Sequence, residues 1–131
     1  MHALLTALRH KRPAFGAWLT VQNTFITRTI VRASPELSWI CIDCEHGLTS
    51  LHPGAAETIA AIESASSNRN GSFPSPLVRI PSAGGVGAGG DGLSWQVKYA
   101  LDAGARGVIA PMVSHIFRLG PVSPSNNAFD Y

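Results

Sequence analysis

The densest group of reactive side chains in this sequence is Asp43-Cys44-Glu45-His46-Gly47, which directly follows the apolar run at residues 37–43 (LSWICID). In parallel α/β folds the carboxyl ends of strands form the working face. Side chains at the end of one strand and the start of its loop can therefore reach a common site. A histidine beside two carboxylates can be oriented and tuned as a general base; the competing reading is a solvated polar loop. Arg79 sits inside another apolar stretch, between Val78 and Ile80. A buried guanidinium needs an anionic partner, because an unpaired charge there costs several kcal/mol. That partner is either structural, such as Glu45, or a substrate carboxylate held by a two-pronged contact. Asp102, near the end of a candidate helix, opposes the helix dipole unless it is paired, and reads first as an exposed acid. Trp18 and Trp39 lie in strands, where core packing is the default; Trp18 is also kept as a candidate for substrate binding.

Other patterns are weaker. Cys41-Ile42-Asp43-Cys44 matches C-x-x-C, but Cys41 falls within a strand, and residues three apart on a strand face opposite sides. Zinc would need two further ligands, for which only His46 and His52 are close in sequence. Gly85, Gly87 and Gly90 satisfy G-x-G-x-x-G in form, yet Asp91-Gly92 continues the loop and no acid ends the next strand. No Lys-Ser/Thr follows a glycine loop, which excludes a P-loop. Lys11 and Lys98 are the only lysines; neither stands at the carboxyl end of a strand, so imine catalysis has no candidate.

The elements that must position these residues alternate along the chain. Apolar runs at 15–21, 37–43, 77–80 and 107–113 have apolar residues at successive positions, as strands covered on both faces do. Between them, 24–33 places Ile26, Ile30 and Ala33 on one helical face, and 53–66 opens with Pro53 and aligns Ala56, Ile59 and Ile62. The third candidate, 94–103, starts at Ser94 as N-cap, carries Val97, Ala100 and Leu101, and ends at Gly104. The order βαβαβαβ predicts an α/β architecture with a parallel sheet: four strands and three helices, the first half of a (β/α)₈ barrel. A closed barrel takes about 250 residues. The chain is therefore expected to be either half of a barrel, needing a second copy or further sequence, or a small open sheet. Residues 1–113 form the partial barrel domain and 114–131, with Gly120, Pro121 and Pro124, an irregular or disordered tail.

Composition agrees with a globular protein: 131 residues, 45% hydrophobic, 14% charged, formal charge +2. That balance gives no reason to expect nucleic acid or anionic lipid as partner. No apolar run approaches the roughly 20 residues of a membrane helix, and no secretory signal is evident. The basic bias before Glu36 is shared with organellar transit peptides, but residues 14–21 already read as a strand, so the cytoplasm is expected.

The series GAWLTV, ICIDCEHG, PLVRIPSA and WQVKYALDAGARGVIAPMV, over about residues 13–113, resembles the HpcH/HpaI aldolases, which include 4-hydroxy-2-oxoheptanedioate and 2-dehydro-3-deoxyglucarate aldolases. The combination I-D-x-E-H-G, V-R-x-P and A-L-D-A-G-A is fairly specific. The resemblance implies a phosphoenolpyruvate/pyruvate-type barrel and a lyase that cleaves or forms 4-hydroxy-2-oxo acids with pyruvate as enolate partner. It implies a divalent metal (Mg, Mn or Co), a 2-oxo acid and an aldehyde as small-molecule partners, and a homo-oligomer for a complete chain. His46 would be the general base, with Asp43 orienting it. Arg79 would bind the pyruvate carbonyl or enolate oxygen, and Asp102 would assist the proton network, either within its own chain or across a subunit boundary. Glu45 would order the metal's water shell. The family's metal ligands, a Glu and an Asp from later strands, are expected beyond residue 131. The alternative expectation is a non-catalytic half-barrel that self-associates or binds a small organic acid.

Overall fold

The computed structural model describes residues 3–66, 73–82 and 91–111. The sequence-derived tail at 114–131 and the glycines of the G-x-G pattern lie outside the described residues. Among the described residues four parallel strands are present: β1 (Gly16–Leu19), β2 (Trp39–Asp43), β3 (Ser75–Arg79) and β4 (Gly107–Ile109). They pair in chain order, β1-β2-β3-β4. An open doubly wound sheet reverses its strand order at a switch point; a barrel adds each strand beside the last. The order found here, with helices between the strands, is that of an α/β half-barrel.

The helices are α1 (Ala3–Arg9), α2 (Thr24–Ala33), α3 (Ala56–Ser66) and α4 (Asp91–Asp102). Side chains alternate across a strand, and one alternate set, Leu19, Ile40, Ile42 and Val78, is between 0% and 4% exposed. This set joins Val31 of α2, Ile59 and Ile62 of α3 and Ala100 of α4 in one core. The other set faces the concave side of the sheet and includes Trp18, which is 46% exposed. One face is thus sealed by helices, and the other is where the barrel interior would be.

The helices correct several expectations. α1 was not anticipated: its seven residues fall below the length at which periodicity is visible. In α2 the inward residues are Thr27 and Val31, while Ile26 and Ala33 face solvent. Thr27 can be buried because its hydroxyl donates to the Asn23 carbonyl at 2.8 Å. α3 buries Ile59 and Ile62 as expected, after a wide turn at Leu51–Ala55 that contains Pro53. α4 starts at Asp91, so Ser94 lies inside it rather than at its cap. Its inward stripe is Leu93, Gln96, Val97 and Ala100, whereas Leu101 is 49% exposed. That stripe has the i, i+3, i+4, i+7 spacing of a packed helix face; counting only apolar residues passes over Gln96. The C-terminus behaves as expected. Gly104 has φ +102°, its amide donates to Leu101, and the Ala105 amide donates to Ala100, a Schellman motif that requires glycine at this position.

Candidate functional site

Asp43 is the last residue of β2 and Arg79 the last of β3, and the two are direct partners in the parallel register. Both side chains therefore leave the sheet on the same face and at the carboxyl rim. The guanidinium grips the carboxylate with two hydrogen bonds, Nε to Oδ1 at 2.9 Å and Nη2 to Oδ2 at 2.6 Å. Oδ1 also accepts the backbone amides of Glu45 at 3.1 Å and His46 at 3.0 Å. One buried carboxylate thus fixes both the arginine and the turn that carries the histidine. The Arg79 contacts and these amides hold the Asp43 carboxyl down, at about 2, against the opposing effect of burial. A carboxylate engaged in this way is a permanent anion and has no proton to exchange near neutral pH.

The turn itself is tied down on two sides. The Cys44 amide donates to the Arg79 carbonyl at 3.0 Å, and the Leu48 amide to the Thr20 carbonyl at 2.6 Å, with a parallel bridge from Val21 to Leu48. Gly47 lies so close to this junction that a Cβ would stand 2.2 Å from the Asp43 carbonyl oxygen and 3.0 Å from that of Thr20. Only glycine fits without moving backbone.

The sequence-derived candidates are brought together unequally. Glu45, with an 8% exposed side chain, places one oxygen 3.4 Å from Arg79 Nε and 3.6 Å from His46 Nε2. The His46 ring is 70% exposed. Asp43 was expected to orient this imidazole; its contact with His46 is to the backbone amide, and the carboxylate next to the ring is that of Glu45. Trp18 of β1, in register with Cys41 and so two positions behind Asp43, lies under Arg79, with the guanidinium carbon 4.8 Å from the ring centroid. Such a cation–π contact contributes about 0.5–1 kcal/mol at a partly exposed site and holds the guanidinium plane. Trp39 plays no part in the cluster: its ring covers Gly16 on the neighbouring strand, and its Nε1 donates to the Ala14 carbonyl at 3.3 Å.

Asp102 does not join the group. It ends α4, which leads into the amino end of β4, the opposite rim from Asp43 and Arg79. There its carboxylate pairs with Lys98 at 2.5 Å, both side chains exposed. Cys41 and Cys44 are free and buried. Burial pushes their thiols up, to about 12 and about 11, so neither has the thiolate character of a redox cysteine.

Among the described residues no group of three or more His, Cys, Asp or Glu side chains comes together to hold a metal ion. The two carboxylates at the rim are already engaged by Arg79, so these residues by themselves do not fit a divalent-metal site. No helix among the described residues is long and apolar enough to cross a membrane.

Three proteins named hydroxypyruvate/pyruvate aldolase are similar to the chain. That of Agrobacterium fabrum is 29% identical over 108 residues, covering 82% of this chain and 34% of its own length. That of Paraburkholderia phytofirmans is 30% identical over 111 residues, covering 84% and 36% respectively. For Roseobacter denitrificans the figures are 25% over 99 residues, 76% and 31%. The chain spans about a third of the length of these curated relatives. Among solved structures, the citrate synthase SbnG superposes with a TM-score of 0.64, covering 86% of this chain and 38% of its own, at 23% identity. That likeness shows the fold. No protein-family model matches the chain.

Proposed function

We propose, from the premise that this chain is an aldolase homologue of the HpcH/HpaI type, that its carboxyl rim is part of the site of a carbon–carbon lyase with pyruvate as enolate partner. The observation that carries this reading is the Asp43-clamped guanidinium of Arg79, linked through the Glu45 carboxylate to the His46 imidazole. Retro-aldol cleavage of a 4-hydroxy-2-oxo acid needs two things: a base for the C4 hydroxyl proton, and positive donors where the enolate oxygen develops. His46 is the exposed base. Among the described residues Arg79 engages Asp43 through Nε and Nη2, and in this reading Nη1 faces the 2-oxo acid from a side chain 23% exposed. As the C3–C4 bond breaks, its electron pair passes into the enolate held by Arg79, and the aldehyde leaves. The proton held on His46 then returns to C3 and gives pyruvate. The relatives' names add hydroxypyruvate as a second donor, which would bring one more hydroxyl on C3. Trp18 both supports Arg79 and supplies a flat wall for the donor.

No step here passes through a metal, and metal dependence remains a separate part of the reading, with ligands outside the described residues. Asp102 can enter the proton network only from a neighbouring copy, because within one chain it lies at the other rim.

The test is pyruvate release from a 4-hydroxy-2-oxo acid, followed by coupling to lactate dehydrogenase, with magnesium, manganese or cobalt ions supplied. His46→Ala and Arg79→Ala are each expected to lower kcat/KM by about 10²-fold or more. Activity that survives both substitutions would sink the assignment. Absence of turnover with every metal would favour the second reading, a half-barrel that binds a small organic acid or self-associates; that reading is supported by the open four-stranded sheet of the described residues.

A further inference from the structure

The two rim carboxylates do different work. Asp43 has both oxygens occupied by Arg79 and by two backbone amides, and no contact with the imidazole. Glu45 is as well buried in its side chain, yet one of its oxygens lies between the Arg79 Nε and the His46 Nε2, at 3.4 and 3.6 Å. A contact of 3.6 Å is an ionic approach and is too long for a hydrogen bond. Catalytic contacts of this kind commonly tighten only when the substrate is bound. The positions of the two carboxylates follow from the chain: a strand-terminal residue aims at its register partner, and the second residue of the loop lies beside the residue that follows it.

We propose that Glu45, rather than Asp43, is the carboxylate that positions the imidazole of His46 and couples it to Arg79. Asp43 sets the backbone of the turn. Glu45 sets the ring. The kinetic part of this inference rests on the lyase reading; the ring orientation does not.

Two measurements separate the two. In the pyruvate-release assay, Glu45→Gln is expected to lower kcat about tenfold with KM within about twofold, because the charge that aligns the base is lost while Asp43 still holds Arg79. Glu45→Asp should recover part of that loss. A residue that merely braces the fold would instead lower the melting midpoint and raise KM together. Independently of turnover, NMR relaxation of the His46 ring Cε1–H should show an ordered ring in the parent protein and a loosened one in Glu45→Ala. Equal ring order in the two proteins overturns the proposal, as does an unchanged kcat in Glu45→Gln. If the parent protein shows no turnover, the lyase reading fails, and ring order alone decides whether Glu45 positions His46.

Discussion

At the scale of single residues, the site turns on how completely Asp43 is used. Its side chain is 4% exposed, and it receives four hydrogen bonds, two of them from a guanidinium. A buried anion that lost those donors would face the full desolvation penalty. Its depressed ionisation also makes folding stability depend on pH. The folded-state value is about 2, below the ordinary 3.8. The contribution is therefore complete above about pH 4 and is lost as pH falls towards about 2. Asp43→Asn is expected to cost on the order of 2 kcal/mol at neutral pH, measured by urea unfolding. The gap between parent and variant should close between pH 4 and pH 2; a gap independent of pH would mean that the carboxylate's charge is not what stabilises. The identities of Asp43, Glu45, His46 and Arg79 were all legible as a cluster, because reactive types stood at the ends of apolar runs. Which carboxylate meets the ring was not, since adjacent residues differ only in where the turn aims them.

At the scale of elements, the loop after β2 carries the candidate site residues Glu45 and His46, and its shape depends on Gly47. A Cβ at that position would meet backbone oxygens of β2 and of the segment after β1, neither of which can swing aside. By contrast, a Cβ at Gly54 would first meet the end of the Gln22 side chain, which can move. Gly47→Ala is thus expected to destabilise by about 1–3 kcal/mol, as overpacking does, and Gly54→Ala by clearly less, as thermal unfolding would report. Equal losses would show that the close approach at Gly47 does not matter. Helices α2 to α4 were found in the right order from periodicity, and Ile30, Val97 and Ala100 do pack on the core, yet Ile26, Ala33 and Leu101 face solvent. Thr27 and Gln96 point inward where isoleucine or leucine seemed the better candidates; Thr27 can do so because its hydroxyl donates to the Asn23 carbonyl one turn back.

At the scale of the whole molecule, the sheet is covered unevenly. Helices seal one face, while Trp18 on the concave face remains half open. β2 and β3 each have two neighbours; β1 and β4 have one. Hydrogen exchange should therefore be slowest at Ile42 and Val78 and faster in β1 and β4, whose amides lie at sheet edges. Protection of β1 or β4 equal to that of β2 would show that another strand is added at that edge, from a second copy or from outside the described residues. The same topology puts Asp102 at the far rim, so any catalytic part for it belongs to an assembly of chains and not to one half-barrel.

The amino-acid sequence by itself determined the order of the strands and of the helices between them, the parallel character of the sheet and the place where reactive residues gather. Those follow from local periodicity and from charged residues ending apolar runs. Only the tertiary structure decided that Asp43 and Arg79 are register partners, that Glu45 stands between arginine and imidazole, and that Asp102 lies elsewhere. Register and rim depend on how distant strands are stacked, and no local pattern of residues encodes a distance between chain segments that meet only once the sheet has formed.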